Sequence, residues 1–159
     1  MPGERPLTPG ERDLARSIFA EAIDYGHVRL VHRPWWPLQP KNIVMAPMGK
    51  IHFHPAGNTW SDDFARDTLA AQGLFIHEMT HVWQAQVHGR YWLPLMRHPF
   101  CRYDYAIELG RPFHRYGIEQ QAEIVRHTFL GERGVILLNR PTRALLPFAP
   151  NCGPRDARL

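Results

Sequence analysis

Hydrophobic residues recur every three to four positions in three segments of the chain, the spacing of one face of an α-helix. This spacing predicts helices over about 8–24, 68–88 and 118–130. The first begins with a capping box: the Thr8 hydroxyl can accept an early amide, Glu11 can reach back to the cap, and Pro9 takes the first helical position. The expected helix ends are Gly26, Gly89 and Gly131.

Shorter segments between the first and second helices carry strand patterns. Residues 27–32 alternate loosely, and residues 42–45 and 50–54 predict two strands joined across a Pro-Met-Gly turn. The stretch after residue 89 is rich in proline and aromatic side chains, so we expect it to be irregular, with a short helix later at about 143–146. Helices that flank a few strands favour an α+β domain.

Length and composition bound the organisation of the chain. Its 159 residues, 44% of them hydrophobic, suffice for one buried core, so we expect one domain over 1–159 with a core at about 8–147 and a loose tail at 148–159. No run of about 18 apolar residues predicts a membrane span. No apolar signal region is visible near the start, so we expect a cytoplasmic protein, with leaderless export left open. Cys101 and Cys152 are expected to be reduced thiols, although their pairing stays open.

The net charge of +4 raises the question of nucleic acid, which requires clustered rather than scattered cations. Arginines occur along the whole chain and are densest over residues 90–115, where aromatic side chains lie between them. This stretch matches no nucleic-acid-binding signature. We therefore interpret it as an irregular segment anchored by aromatics and do not expect a nucleic-acid partner.

The strongest chemical signal is the HExxH motif that runs from His77 to His81 inside the longest predicted helix. Residues four apart lie one turn above each other, so both imidazoles can reach one metal ion. Glu78 lies about 60° round the helix from His81, where its carboxylate can contact a metal-bound water without binding the metal.

The residues around the motif divide into two faces. Four polar side chains lie on one face, namely His77, His81, Gln84 and His88. Apolar side chains cover the other, namely Phe75, Ile76, Met79, Val82, Trp83 and Val87. We therefore expect a metal site that faces a cleft, supported by an apolar surface that packs on the core.

A catalytic zinc needs a third protein ligand and one open position. His88 lies on the same helix and points away from the ion, whereas the final helix offers Glu119 and Glu123, one turn apart and on one face. Two such carboxylates repel each other unless positive charge lies opposite. A metal held by the two histidines would supply that charge, and an ordinary ion pair of Glu123 with Arg126 is the alternative.

An HExxH helix followed by a later helix with E-x-x-A-D is the arrangement of gluzincin-type zinc metallopeptidases, which this sequence resembles. The resemblance implies that Zn²⁺ is bound by His77, His81 and Glu119, that Glu78 is the general base, and that Glu123 supports a ligand histidine. The chain has Glu123 where the family has Asp. Its longer arm leaves open which of the two acids binds the metal.

The wider sequence over about 42–130 is similar to small bacterial metallopeptidases that are labelled Vgr-related or occur near Rhs and type VI secretion proteins. That likeness implies a zincin-like α+β fold, a peptide or protein substrate and a secretion-system partner. It also implies that residues 50–54 form the strand at the edge of the substrate cleft.

Two functions follow as hypotheses. The first is a zinc-dependent peptidase in which a metal-activated water attacks the peptide bond and Glu78 takes the proton. The second is a zinc-stabilised adaptor or binding module that kept the fold without turnover. A peptidase also needs a donor for the developing oxyanion. The candidates by residue type are His114, Tyr116, Tyr105, Arg126 and His127, and the sequence does not choose among them.

Overall fold

A computed structural model describes residues 3–98 and 100–148 of the chain. Over these residues it contains four α-helices and one sheet of three short strands, so the predicted α+β class is confirmed. In chain order the elements are β1 (Glu4–Pro6), α1 (Pro9–Phe19), β2 (Arg29–Val31), β3 (Lys50–His52), α2 (Leu69–His88), α3 (Trp92–Met96) and α4 (Ile118–Glu132). None of the described helices is long and apolar enough to cross a membrane.

Helix α1 begins as predicted and ends earlier than predicted. The Glu11 amide donates to Thr8 Oγ1 at 3.1 Å, and the Thr8 amide donates to Glu11 Oε2 at 2.9 Å, which completes the capping box. The helix stops at Phe19 because Ala20 has a positive φ of 49°, which an α-helix does not accommodate. Residues 25–27 then form a separate 3-10 turn capped by Asp24.

The sheet has the order β1-β2-β3, with β1 antiparallel and β3 parallel to β2. Strand β1 was not predicted. The strand predicted over 42–45 was wrong, since this segment contributes a single bridge in which Met45 and His52 exchange hydrogen bonds of 3.1 and 2.7 Å. Pro40 and Pro47 flank the segment, and a proline has no amide hydrogen with which to continue a ladder.

Helix α2 lies between the rest of the core and helix α4, which positions the HExxH motif. Its apolar face packs on aromatic side chains: Phe75 stacks on Phe64 at 5.3 Å, and Phe64 stacks on Phe53 at 5.5 Å. Its histidine face packs on α4, so both faces of α2 are buried around the motif. Gly73 allows the close crossing, since a side chain there would lie 3.2 Å from Leu130.

The stretch 90–115, expected to be irregular, contains the short helix α3. Pro94 argues against a helix when the sequence is considered alone. In the structure Pro94 lies in the first turn, where a helix needs no amide hydrogen. Leu93 is buried and packs with Ala85 and Ile118. Phe148, the first residue of the expected loose tail, is also buried, and its ring centroid lies 4.8 Å from that of Phe19. The rest of that tail lies outside the described residues, and so does Cys152, the possible partner of Cys101.

Candidate metal centre

Helices α2 and α4 bring three potential ligands together. The Nε2 atoms of His77 and His81 lie 3.3 and 3.1 Å from Oε2 of Glu119, and all three side chains are buried. Zinc binds such atoms at about 2.0–2.1 Å in a tetrahedral arrangement, in which neighbouring ligand atoms lie about 3.3–3.4 Å apart. The spacing of the three residues therefore fits one zinc ion.

Hydrogen bonding around His81 turns the unprotonated ring nitrogen toward the carboxylate of Glu119. The Gln84 amide nitrogen donates to the Ile118 carbonyl at 3.1 Å and to Gln121 Oε1 at 2.9 Å, so its oxygen faces Nδ1 of His81 at 2.8 Å. Nδ1 of His81 is then the protonated nitrogen, and Nε2 presents a lone pair to the carboxylate of Glu119. Two buried acceptors in contact require a proton or a metal ion between them.

Glu123 supports His77 from the side opposite the proposed metal. Its Oε1 lies 2.7 Å from Nδ1 of His77, while Nε2 of His77 points toward Glu119. The other carboxylate oxygen lies 3.2 Å from His127, which contacts the Tyr105 hydroxyl at 2.6 Å. The predicted contact of Arg126 with Glu123 exists at 3.4 Å, but it accompanies the contact with His77 and does not replace it.

The pKa values of His77 and Glu119 are shifted in the directions that keep His77 protonated and Glu119 ionised. Burial alone lowers the pKa of His77, but its contacts with Glu119 and Glu123 outweigh burial and raise it to about 9. Burial alone raises the pKa of Glu119, yet the two histidines and Arg97 hold it well below its usual range. In the metal-free protein a protonated imidazole supplies the charge that a metal ion would otherwise provide.

Glu78 is a buried acid of the same helix as the two histidines. The side chain is buried, and Oε2 has no hydrogen-bond partner among the described residues. Burial raises its pKa, against the opposing effect of the charges on His77 and His81. A buried carboxylate oxygen without a partner, next to three converging ligands, is placed to accept a proton from a water molecule in the site.

Comparison with known proteins places the chain in a family. No protein-family model matches it. The type VI secretion system spike protein VgrG2b of Pseudomonas aeruginosa is 43% identical over 133 residues, a match that covers 79% of this chain and 13% of that protein. The solved structure of the effector domain of P. aeruginosa VgrG2b is similar with a TM-score of 0.70 and 38% identity, over 82% of this chain and 75% of that one. The chain belongs to the VgrG2b effector-domain family.

Membership of the VgrG2b effector-domain family confirms the resemblance to Vgr-related proteins. The gluzincin assignment and its residue roles remain predictions. The match covers only 13% of the length of the spike protein. The activity and partners of that whole protein are therefore not assigned to this chain.

Two residues near the centre of this VgrG2b-type domain were not predicted. Arg97 Nε lies 3.3 Å from Glu119 Oε1, and the guanidinium opposes the rise that burial causes in the pKa of the Tyr103 hydroxyl. The half-exposed Tyr103 ring lies parallel to the His77 ring, with 6.3 Å between centroids. No motif marks either residue, and the dense arginines and aromatics of their stretch were the only signal.

The predicted oxyanion donors lie elsewhere. Tyr105, Arg126 and His127 belong to the cluster behind Glu123. Tyr116 accepts a hydrogen bond from the Glu108 amide at 3.2 Å, and His114 is exposed.

The edge of the cleft also differs from the arrangement that the resemblance implied. The outer edge of β3 is paired at His52 with Met45, so residues 45–47 border the cavity next to the centre. Residues 50–54 lie one strand further away. The segment 42–45, expected as a strand of the sheet, thus contributes to the cavity wall.

Proposed function

We propose that this domain is a zinc-dependent peptidase that hydrolyses peptide bonds. The observation that carries the proposal is the convergence of two imidazole Nε2 atoms and one carboxylate oxygen next to the unpartnered carboxylate of Glu78. His77, His81 and Glu119 would hold the metal. Zinc in such a site lowers the pKa of a bound water to about 7 and polarises a carbonyl as a Lewis acid.

Glu78 carries the proton in the proposed reaction. Its carboxylate accepts a proton from the attacking water as the water oxygen bonds to the carbonyl carbon. The same proton passes from Glu78 to the leaving amine nitrogen as the C–N bond breaks. Its surroundings suit both steps, because burial raises the pKa of its carboxyl and makes the carboxylate a better proton acceptor.

The surrounding side chains orient the three ligands. Glu123 Oε1 lies 2.7 Å from Nδ1 of His77, and Gln84 accepts from Nδ1 of His81, so each imidazole directs Nε2 toward Glu119. Arg97 lies against the other oxygen of Glu119 and restrains its carboxylate. The metal site is therefore assembled before a substrate arrives.

Tyr103 is the donor that best suits the developing oxyanion. It is half-exposed, and its ring lies parallel to the ring of His77 with 6.3 Å between centroids. An exposed hydroxyl on this ring can donate a hydrogen bond to negative charge that forms next to the metal site. Replacement by phenylalanine should lower kcat about 100-fold and leave the zinc content unchanged.

A second candidate function is a zinc-stabilised binding module associated with a secretion apparatus. It is favoured by the similarity to a domain of a type VI secretion spike protein. The two functions differ at Glu78, because a purely structural zinc site closes its fourth position with a ligand and requires no base.

Hydrolysis by the wild type and by Glu78→Gln separates the candidates. Each protein is loaded with zinc, analysed for metal and incubated with a bacterial proteome whose new N-termini are then identified. We expect about one zinc per chain in both proteins and cleavage by the wild type alone. Equal cleavage by both would exclude Glu78 as the base, and zinc-loaded wild type without any cleavage would favour the binding module.

The proposed secretion link has a separate test. We expect the chain to reach the culture medium of its host only when the type VI apparatus is functional. Equal amounts in the medium of a strain with an inactivated apparatus would contradict the link.

A further inference from the structure

A cavity of about 270 Å³ opens directly beside the proposed metal site. Its apolar lining includes Trp35, Trp36, Leu93 and Ile118. His81 and Glu119 also line it, so the cavity and the metal site are continuous. A group bound in this cavity would lie within one residue of the bond that the site would cleave.

The cavity has the size and polarity for a large apolar side chain. A dry apolar cavity of about 150 Å³ is enough to bind benzene, so 270 Å³ exceeds the space that an aromatic ring needs. The charged groups in its wall neutralise each other, since Arg97 is paired with Glu119. No unpaired charge therefore remains in the described wall to select a charged side chain.

The wall formed by the two tryptophans is held in place. Gln39 is buried, its Oε1 accepts from the Trp35 amide at 2.7 Å, and its Nε2 donates to the Ile43 carbonyl at 2.7 Å. Trp35 and Trp36 nevertheless remain 39% and 42% exposed. Large apolar side chains that stay exposed beside a site, on a loop held by buried hydrogen bonds, are typical of ligand-binding surfaces.

The segment that follows the bridge between Met45 and His52 lines the same cavity. Met45 uses its N–H and C=O to pair with His52, so those of Ala46, the next residue, point away from β3. Ala46 itself is only 2% exposed, so it forms part of the covered wall of the cavity. The cavity, and not this backbone edge, is therefore the part of the site that can receive a side chain of a peptide.

We propose that the cavity is a specificity pocket for a large apolar side chain, aromatic by preference, on the residue next to the scissile bond of an extended peptide. This inference rests on the proposed peptidase function, because it assigns the cavity to the substrate of the same site. It adds Trp35 and Trp36 as residues that determine specificity.

Binding without turnover tests the pocket separately from the peptidase. Zinc-loaded Glu78→Gln protein is titrated calorimetrically with blocked alanine hexapeptides that carry Phe, Ala or Glu at one central position. We expect the Phe peptide to bind about 10- to 100-fold more tightly than the Ala peptide, from burial of one aromatic side chain, and the Glu peptide to bind no better than Ala. Equal binding of the Phe and Ala peptides would overturn the proposal, whether or not the wild type hydrolyses anything.

Substitution in the wall provides the residue-level test. Trp35→Ala combined with Trp36→Ala, in the same Glu78→Gln background, should reduce the preference for Phe over Ala to less than about threefold. Leu38→Ala is the matched control, since Leu38 is an exposed apolar residue of the same loop that does not line the cavity. It should keep the full preference. A double variant that remains folded, binds zinc and still prefers Phe would also overturn the proposal.

Discussion

Gln84 gives the sharpest test of how the metal site is built, because it contacts no metal and controls a ligand. Its side chain is fully buried, and its three hydrogen bonds join His81 on α2 to Ile118 and Gln121 on α4. Gln84→Met conserves the length and volume of the side chain and removes all three bonds. The Nδ1 hydrogen of His81 then has no acceptor and the imidazole is free to rotate.

The structure sets the size of the effect. Each buried group left without a partner costs about 1–3 kcal/mol, and some of this cost is recovered by relaxation, so we expect the free energy of unfolding to fall by about 3 kcal/mol. A domain of this size is typically stable by about 5–15 kcal/mol and should remain folded. Loss of the group that orients a ligand histidine should weaken zinc binding by about 10- to 100-fold.

Two assays follow the two effects. Urea unfolding of the metal-free proteins measures the stability change, and competition with a chromophoric chelator measures zinc affinity. Gln86→Met is the matched control, since Gln86 lies two residues further on the same helix and bonds the exposed backbone of Asp24 instead. It should leave zinc affinity unchanged. Zinc affinity of Gln84→Met equal to that of the wild type would refute the proposed role of this amide.

Three further predictions address the ligands and the fold. Glu119→Gln should abolish measurable zinc binding, whereas Glu123→Gln should weaken it about 10- to 100-fold, as measured by the same chelator competition. Removal of zinc by a chelator should lower Tm, because free zinc at 1,000 times its Kd adds about 4 kcal/mol of stability. Glu11→Ala should lower the free energy of unfolding by about 3 kcal/mol, as measured by urea unfolding. It removes the carboxylate that pairs with the Arg5 guanidinium and accepts from the Phe64 amide, so both groups lose their partner.

Different results would contradict each prediction. Normal zinc affinity in Glu119→Gln, together with its loss in Glu123→Gln, would exchange the roles of the two acids. An unchanged Tm after complete removal of zinc would show that the metal does not bind preferentially to the folded state. For Glu11, Asp13→Ala on the exposed side of α1 is the control and should cost less than about 0.5 kcal/mol; equal losses would show that the buried network adds nothing.

Features governed by local spacing were predicted well. The four-residue interval between His77 and His81 and that between Glu119 and Glu123 each define one helix face, and the structure turns these faces toward each other. Gln84 was placed on the correct face. Its position three residues after His81 is the spacing at which two helical side chains meet, so its contact with His81 was within reach of the sequence.

Features that depend on distant parts of the chain were not predicted. Strand β1 has three residues and exists only through its pairing with β2, which no local pattern encodes. Tyr103 reaches His77 because of the path of an irregular segment, and Trp35 reaches the cavity because Gln39 fixes its loop. Such placements depend on tertiary contacts and not on helical or strand periodicity.

We expect one zinc ion to bind between α2 and α4. An anomalous difference map, recorded at the zinc absorption edge from crystals of the zinc-loaded protein, would locate it. We expect one peak, bonded to Nε2 of His77, Nε2 of His81 and a carboxylate oxygen of Glu119, with the fourth position facing Glu78. A map without a peak at this point, or with Glu78 itself bonded to the ion, would contradict this expectation.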